Sequence, residues 1–300
     1  AAGKAPRGAA RIGGRAQRSE RGARCAIIET AARRRALDGP AFPSRKGCPG
    51  EAFLLRIRDA DKVTAFIEQW MKEQVVGAGA RGIAVGLSGG VDSAVAAALG
   101  RRAFGRDMLA VIMPCHSLPG DEADALLVAG ALDIPHRTVN LTAAYDALVL
   151  AMKGAGVEPT REAGANLKAR LRMSTLYAAA QTLSLLVCGT SNRSEYETGY
   201  FTKFGDSAAD LLPLADLLKC EVRAVARALG VPERVVAKAP SAGFWEGQTD
   251  EGDMGFTYDD LDRYLSDGTA RDEPFRERVE AMRRRSGHKR LPVPICVPRV

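Results

Sequence analysis

The chain has 300 residues, 46% of them hydrophobic and 26% charged, which is the composition of a globular protein and not of a disordered or fibrous one. No uninterrupted apolar stretch approaches the roughly 18 residues that a membrane helix needs, so the sequence excludes a transmembrane span. The six cysteines include no C-x-x-C pair. This excludes a disulfide scaffold and the usual zinc spacings, and it favours reduced thiols in the cytoplasm.

The net charge of +7 belongs to one end of the chain. Residues 1–50 hold twelve Lys or Arg against three acids, a net charge of +9, which leaves −2 for residues 51–300. Large apolar residues are sparse in this basic arm, so we expect residues 1–58 to be a disordered extension and residues 59–300 to form the domain. Three interpretations of the arm stay open: a segment without a structural role, a phosphate-binding arm, and an organellar transit peptide. The low serine content of the arm argues against the transit peptide.

From about residue 61 the pattern alternates between amphipathic segments and short apolar runs. In chain order it predicts helix 63–77, strand 83–87, helix 91–104, strand 109–113, helix 121–132, strand 136–141 and helix 142–152. A longer helix capped by Asn166 is predicted through residue 186, running into apolar residues 185–188, with further helices at 217–229, 257–266 and 272–285. Such alternation predicts a single α/β domain with a doubly wound parallel sheet, whose ligands bind at the carboxyl ends of the strands where the strand order reverses.

The exit from the first predicted strand has the sequence Gly86-Leu87-Ser88-Gly89-Gly90-Val91-Asp92-Ser93. Adjacent glycines let the backbone turn its N–H groups towards a ligand, a helix N-terminus follows at once, and the two serines add hydroxyl donors. This pattern predicts a cradle for phosphate. It matches neither the G-x-x-x-x-G-K-[ST] motif of P-loop nucleotide hydrolases nor the G-x-G-x-x-G motif of dinucleotide-binding folds.

Asp92 places an acid inside this phosphate cradle. A carboxylate would repel phosphate unless a cation lay between them, which implies Mg²⁺ held by carboxylate, phosphate and water oxygens. The alternative is an ordinary helix start after a Gly-Gly turn, where aspartate is common. The five fixed positions of S-G-G-x-D-S favour the functional interpretation.

The loop 88–93 resembles the pyrophosphate-binding loop of the N-type ATP pyrophosphatases, which cleave ATP to AMP and pyrophosphate while adenylating an acid or carbonyl oxygen. Downstream motifs narrow the resemblance to ammonia-dependent NAD synthetases, over about residues 60–292. These motifs lie at 166–173, 189–190, 195, 198–206, 210–214, 219, 238–241 and 287–290. The resemblance implies an adenine nucleotide alpha hydrolase-like fold, ATP-dependent amidation of deamido-NAD with ammonia, and a homodimer that shares its substrate cleft between subunits.

The resemblance also implies roles for single residues. The catalytic residues would be Asp92 and Glu195, which hold Mg²⁺, and Lys219, which offsets charge developing on pyrophosphate. ATP would contact Gly86, Leu87, Ser88, Gly89, Gly90, Val91, Asp92, Ser93, Thr190, Lys219 and Ser241. Deamido-NAD would contact Arg170, Lys203, Asp210, His288 and Lys289.

Each of these residues also has an ordinary structural interpretation. Lys219 could lie on a solvated helix face, Arg170 could form a surface salt bridge, and Glu195 could be a solvated loop acid. Thr190 could be an ordinary residue at a strand end, and residues 288–290 could be a basic tail. Ser241 stands where the family commonly has threonine, and residues 244–248 depart from the common family sequence of the lid over the substrate.

The pair Cys115-His116 suggests a nucleophile and its base. Adjacent residues at the end of a strand point to opposite sides, which makes a relay between them difficult. We therefore interpret both as packing and loop residues.

Two other functions fit parts of the sequence. A tRNA-thiolating or other ATP pyrophosphatase would use the basic arm to hold RNA, although the acidic body and the missing C-x-x-C argue against nucleic acid. A non-catalytic nucleotide-binding module would not need all three catalytic residues. For the nitrogen donor we expect free ammonia and not glutamine, because the two cysteines of the basic arm have no histidine before His116 and no predicted fold around them.

Overall fold

The computed structural model describes residues 57–241, 243 and 247–298, so the predictions for residues 1–56 of the basic arm and for residues 244–246 of the lid fall outside these residues. Arg58, predicted to belong to the disordered arm, instead pairs with Asp216 and Glu221. The strands of this part are β1 (Gly82–Gly86), β2 (Met108–Ile112), β3 (His136–Thr138) and β4 (Leu185–Cys188). Its helices are α1 (Ala60–Gly77), α2 (Val91–Phe104), α3 (Pro119–Ala131), α4 (Thr142–Gly154), α5 (Arg161–Leu183), α6 (Arg193–Thr198), α7 (Lys219–Ala228), α8 (Glu233–Val236), α9 (Asp250–Met254), α10 (Tyr258–Asp267) and α11 (Glu273–Arg290).

These strands form one parallel sheet in the order β3-β2-β1-β4. Ala84 in β1 pairs with Leu109 on one side and with Val187 on the other. The chain leaves β1 in one direction for β2 and β3 and returns to its other side for β4. This confirms the predicted doubly wound sheet and puts the reversal point, where such sheets bind ligands, between the carboxyl ends of β1 and β4.

Helices cover both faces of the sheet because its strands are apolar on both sides. On one face α1, α2, α3 and α7 enclose a core that includes Met71, Ile83, Leu99 and Val222. On the other face α5 packs its Leu176 against the sheet. With both faces covered, the edge formed by the strand ends is left for binding.

The C-terminal helices have a smaller core of their own. Tyr258 and Leu261 of α10 pack in one cluster with Phe275 and Val279 of α11. The same helix α10 contacts both α6 and α7. Helix α10 therefore packs in the C-terminal core and also contacts α6 and α7, the two helices that follow β4 in the chain.

The α5 helix begins earlier than its pattern predicts. Thr160, and not Asn166, is the N-cap, because Thr160 Oγ1 accepts a hydrogen bond from the Ala163 N–H at 3.2 Å. Asn166 lies inside the helix, where its Oδ1 accepts a hydrogen bond from Thr202 Oγ1 at 2.6 Å. Ser184 has a left-handed conformation (φ 58°), so the helix stops there and β4 follows.

Other elements differ from the prediction mainly at their ends. β3 covers only the first three residues of the predicted strand, and α3 starts two residues early, at Pro119, since proline suits the first turn of a helix. The sequence pattern does not predict α6, α8 and α9, which have four to six residues each and are too short for a periodic pattern. Among residues 57–241, 243 and 247–298, no helix combines the length and the apolar character that crossing a membrane requires.

Candidate active site

The glycine-rich loop 86–93 lies at the carboxyl end of β1, beside the reversal point of the sheet. Two serines hold its shape: the Oγ atoms of Ser88 and Ser93 lie 3.0 Å apart, and Ser93 Oγ donates to Gly90 O at 2.9 Å. Ser93 Oγ also accepts a hydrogen bond from the Ser88 N–H at 3.1 Å. The loop is thus closed by its own side chains directly before α2 begins.

The two adjacent glycines of the loop, Gly89 and Gly90, each have a structural reason. Gly90 is the N-cap of α2 and supplies no side-chain hydrogen bond, so no cap side chain covers the first-turn N–H groups at the positive end of the helix dipole. Gly89 has φ +84°, and a Cβ there would lie 2.3 Å from Asp121 O. The close approach of α3 therefore requires glycine, and the open helix start suits a phosphate group.

The three predicted catalytic side chains meet at this loop. Lys219, the first residue of α7, donates from Nζ to Asp92 Oδ2 at 2.6 Å and to Glu195 Oε1 at 3.1 Å. The lysine side chain is 2% exposed, and the carboxylates are 16% and 17% exposed. The alternatives in which Lys219 lies on a solvated helix face and Glu195 is a solvated loop acid are therefore wrong.

Burial and charge act on these groups in opposite directions. Burial lowers the pKa of Lys219, but the adjacent carboxylates of Asp92 and Glu195 raise it by more, so this pKa is above its ordinary value and the ammonium stays charged. Burial raises the pKa of Glu195, and the attraction of Lys219 only partly opposes this. Two carboxylates against one ammonium leave the ionised cluster with an excess of negative charge.

The cluster suits a divalent cation that arrives with a nucleotide. Within the described residues, no group of three or more His, Cys, Asp or Glu side chains is placed to hold a metal ion. Asp92 and Glu195, which both contact the Lys219 ammonium, are the carboxylates that could hold such a cation, with phosphate and water at its other positions. Mg²⁺ binds in this way, through one or two carboxylates plus phosphates, and the excess negative charge favours it. The residues present fit Mg²⁺.

Asn192 joins the two carboxylates, although neither its residue type nor its position in the sequence predicts this role. Its Nδ2 donates to Asp92 Oδ1 at 2.8 Å, and its backbone N–H donates to Glu195 Oε2 at 3.3 Å. The side chain is fully buried and is also the N-cap of α6, accepting from the Glu195 N–H at 3.0 Å. The spacing Asn192-x-x-Glu195 is a capping-box signal that predicts this helix start, but not the contact with Asp92, 100 residues away.

Asp250, at the start of α9, is a third buried carboxylate near the cluster. Its Oδ2 accepts a hydrogen bond from Tyr258 OH at 3.1 Å, and the same hydroxyl lies 3.5 Å from Glu195 Oε1. Asp250 is 5% exposed, and its Oδ1 has no hydrogen-bond partner in the part of the chain that the structure describes. Burial raises the pKa of Asp250. In the sequence it is one of three acids in the first turn of a short helix, and nothing marks it as buried.

Thr190 and Ser241 are outside the hydrogen bonds given above for Lys219, Asp92 and Glu195. Thr190 is half-buried two residues past β4, at the same edge of the sheet as the loop. Ser241 is exposed, and its Oγ accepts a hydrogen bond from the Gly243 N–H at 3.1 Å. Their contacts with ATP stay predictions.

Three of the residues predicted to bind deamido-NAD lie together. Lys203 Nζ donates to His288 O at 2.7 Å and lies 3.4 Å from His288 Nδ1. Arg170 Nη2 donates to Lys203 O at 3.2 Å. Lys289, next to His288, donates to two backbone carbonyls, at 2.8 and 2.6 Å. The basic side chains of Arg170, Lys203 and His288 form the cationic group, which could contact the phosphates of a dinucleotide.

Asp210 is not part of this cationic group. Its Oδ2 accepts a hydrogen bond from the Val187 N–H at 2.8 Å, and its Oδ1 accepts one from Tyr177 OH at 3.3 Å. Tyr177 and Arg170 are seven residues apart on α5, which corresponds to about 10 Å along the helix axis. Within one chain the structure therefore does not bring Asp210 and Arg170 together.

Cys115 and His116 have separate partners. Cys115 is buried with its Sγ 3.9 Å from Leu141 O, and burial raises the pKa of its thiol. His116 Nε2 lies 2.7 Å from Asp146 Oδ1 instead. This geometry agrees with the interpretation of both residues as packing and loop residues.

Comparison with known proteins identifies the family. The model of the NAD synthase family matches residues 63–293. The NH(3)-dependent NAD(+) synthetase of Carboxydothermus hydrogenoformans is 51% identical over 77% of this chain and 95% of its own length.

Solved structures agree with this match. NMN synthetase from Francisella tularensis is 38% identical with a TM-score of 0.75, covering 81% of this chain and 99% of its own. NH3-dependent NAD synthetase from Campylobacter jejuni is 28% identical with a TM-score of 0.66, covering 80% of this chain and 99% of its own. The resemblance inferred from the motifs is confirmed, and the chain belongs to the NAD synthase family.

Proposed function

We propose that this chain is an ammonia-dependent NAD synthetase, which uses ATP to convert deamido-NAD into NAD with release of AMP and pyrophosphate. The observation that carries this proposal is the buried Lys219 ammonium held between Asp92 and Glu195 beside the phosphate cradle. Neither a tRNA-modifying enzyme nor a non-catalytic nucleotide-binding module accounts as well for this arrangement, given a relative that is 51% identical and named an NAD synthetase.

The reaction has two steps with different demands. In the first, the nicotinate carboxylate attacks the α-phosphorus of ATP, and the bond to pyrophosphate breaks. In the second, ammonia attacks the adenylated carboxyl carbon, AMP leaves, and the nitrogen loses a proton as the amide forms. The adenylate between the steps would react with water, so the site must exclude it. The expected lid around residues 242–254 remains a prediction.

Each side chain of the cluster has a part in the first step. The N–H groups and hydroxyls of the loop 86–93 bind the phosphates, and Lys219 offsets the charge that develops on the leaving pyrophosphate. Asp92 and Glu195 would hold Mg²⁺, which when bound neutralises the triphosphate. Asn192 keeps the two carboxylates oriented through its hydrogen bonds to both.

The acceptor has a second candidate, the mononucleotide acid from which NMN is made. The solved structure with a TM-score of 0.75 to this chain is that of an NMN synthetase. The two acceptors share the nicotinate nucleotide and differ in the adenylate half of the dinucleotide. The cationic group of Arg170, Lys203 and His288 offers contacts for a second phosphate, and with the 51% identical NAD synthetase this favours deamido-NAD.

A turnover assay tests the function and the acceptor together. The purified chain, supplied with ATP, Mg²⁺, ammonium and deamido-NAD, is expected to form NAD, AMP and pyrophosphate in equal amounts, and to prefer the dinucleotide over the mononucleotide in kcat/KM. Replacing ammonium by glutamine is expected to leave only background turnover. Absence of both NAD and pyrophosphate would refute the proposal. Salt-sensitive RNA binding that is lost on deleting residues 1–50 would support the tRNA-modifying alternative.

We also propose that the enzyme is a cytoplasmic homodimer. The cysteine pattern supports the location, and α4 supports the dimer because none of its residues is buried. Its Leu150 is 72% exposed, and Ala143 and Ala147, seven and three residues earlier on the same face of the helix, are exposed as well, which leaves an apolar face for a second copy to cover.

Mixing two inactive variants tests the shared cleft. Lys219→Met chains and Arg170→Ala chains are each expected to be nearly inactive. After the two are unfolded together and refolded, mixed dimers would contain one site with both native residues, so about a quarter of the wild-type rate should return. Each variant refolded alone is the control. If the mixture stays as inactive as its parts while forming dimers, the cleft is not shared in this way.

A further inference from the structure

Asp262 of α10 is a fully buried carboxylate behind the catalytic cluster. Its Oδ1 accepts hydrogen bonds from Ser194 Oγ at 2.5 Å and from the Lys219 N–H at 3.3 Å. Its Oδ2 accepts from the Cys220 N–H at 2.8 Å. One side chain thus binds both the residue before Glu195, in α6, and the first two N–H groups of α7.

The donors that Asp262 binds are the ones that a helix start leaves unsatisfied. α7 begins at Lys219, and its preceding residue, Leu218, offers no polar side chain to cap it. A buried carboxylate at this position gains from the positive end of the helix dipole as well as from the hydrogen bonds. Asp262 therefore acts as a cap supplied by another helix.

The same face of α10 also reaches the other end of Lys219. Tyr258 lies four residues before Asp262, one turn away on the same face. The Lys219 Nζ lies 4.9 Å from the centre of the Tyr258 ring. Helix α10 therefore contacts Lys219 at its backbone through Asp262 and at its ammonium through Tyr258, which leaves the side chain directed at Asp92 and Glu195.

We propose that Asp262 is a positioning residue of the reaction: it fixes the start of α7 and the adjacent α6 so that the Lys219 ammonium and the Glu195 carboxylate meet at Asp92. The expected change in kcat rests on the proposed function, whereas the expected change in the position of the Lys219 ammonium rests on the geometry alone. A purely stabilising cap would affect folding and leave catalysis by the folded protein unchanged.

The variant Asp262→Asn separates these roles. An amide has one acceptor oxygen, and the arrangement with fewest conflicts keeps that oxygen on the Cys220 N–H while its NH2 group donates to Ser194 Oγ. The Lys219 N–H then faces the NH2 group and loses its Asp262 partner, which leaves it the hydrogen bond to Ser194 Oγ at 3.2 Å. The substitution thus preserves shape and most hydrogen bonds but weakens the hold on the residue whose position is in question.

A matched control lies at the same helix start. Glu221 is also buried, at 7% exposure, and accepts a hydrogen bond from the Leu218 N–H at 3.0 Å. Its carboxylate pairs with Arg58, Oε1 lying 2.6 Å from Arg58 Nε, and not with the catalytic cluster. Glu221→Gln therefore weakens the start of α7 without touching Lys219.

For Asp262→Asn we expect kcat for NAD formation to fall roughly 10- to 100-fold, because small displacements of a catalytic group cost this much. The KM for deamido-NAD should change by less than about twofold, since the cationic group of Arg170, Lys203 and His288 is not on α7 or α10. Glu221→Gln should lower the melting temperature to a similar extent and keep kcat within about twofold of wild type. Equal kcat values for folded Asp262→Asn and wild type would overturn the inference.

A crystal structure of Asp262→Asn supplies a readout that does not depend on the reaction. The Lys219 Nζ is expected to leave its position 2.6 Å from Asp92 Oδ2, whereas Glu221→Gln should retain it. An unmoved ammonium in Asp262→Asn would refute positioning even if the wild-type chain forms no NAD, an outcome that would separately refute the proposed function. If Asp262→Asn does not fold, Ser194→Ala removes another partner of the same carboxylate, and the same two criteria apply to it.

Discussion

Replacing Asp92 with asparagine is expected to lower the rate of NAD formation roughly 100-fold while the chain stays folded. The carboxylate is one of two acidic ligands proposed for Mg²⁺ and receives the Lys219 ammonium at 2.6 Å. Asparagine has the same shape and still accepts a hydrogen bond, but it contributes no charge to the cation or the ammonium. Initial rates at saturating substrates measure the loss, and circular dichroism with thermal unfolding measures the fold.

The control for this variant is Asp61→Asn. Asp61 occupies the first turn of α1 as Asp92 occupies the first turn of α2, but it is exposed and takes no part in the cluster. Both substitutions remove an acid from the positive end of a helix, an effect of about 0.3–1 kcal/mol. Only Asp92→Asn should lose activity. Folded Asp92→Asn with a rate within about threefold of wild type would contradict the proposed role.

The sheet can be predicted because its strands carry the signal themselves. Ile83 and Ala84 in β1, and Ala110 and Val111 in β2, are buried on opposite faces of the sheet, so each segment is an unbroken apolar run. Helix ends are less predictable because caps depend on partners from elsewhere in the fold. Asn166 is a good cap residue by type, yet its side chain bonds Thr202, 36 residues away.

The site residues differ in how much of their role the local sequence encodes. The glycine-rich loop is contiguous and could be interpreted from its residue types alone. Lys219 lies on a helix with no local mark of burial, and its partner Asp92 is 127 residues away, so only the family resemblance identifies it. Asp250 and Asp262 carry no signal of either kind, and the capping-box spacing of Asn192 predicts a helix start but not the contact with Asp92. The burial and partners of a polar side chain are properties of the assembled helices, here α6, α7, α9 and α10.

Replacing Lys219 with methionine is expected to have the largest effect, on both turnover and stability. Loss of the ammonium removes the charge that offsets the developing pyrophosphate, which should lower kcat by roughly 100- to 1,000-fold. It also leaves the carboxylates of Asp92 and Glu195 facing each other in a site where they are 16% and 17% exposed. Removing one partner of a buried ion pair costs about 3–5 kcal/mol, so the melting temperature should fall.

The same variant tests the cation site without turnover. With Lys219 gone, the two carboxylates are neutralised by protonation of Glu195 or by a bound cation, so above neutral pH Mg²⁺ alone should raise the melting temperature of Lys219→Met more than that of wild type. Arg227→Met is the matched control, because Arg227 lies near the end of the same helix and pairs with Glu233 at 2.9 Å on the surface. It should keep wild-type turnover and the wild-type response to Mg²⁺. If Mg²⁺ stabilises Lys219→Met no more than Arg227→Met, Asp92 and Glu195 do not form the proposed cation site.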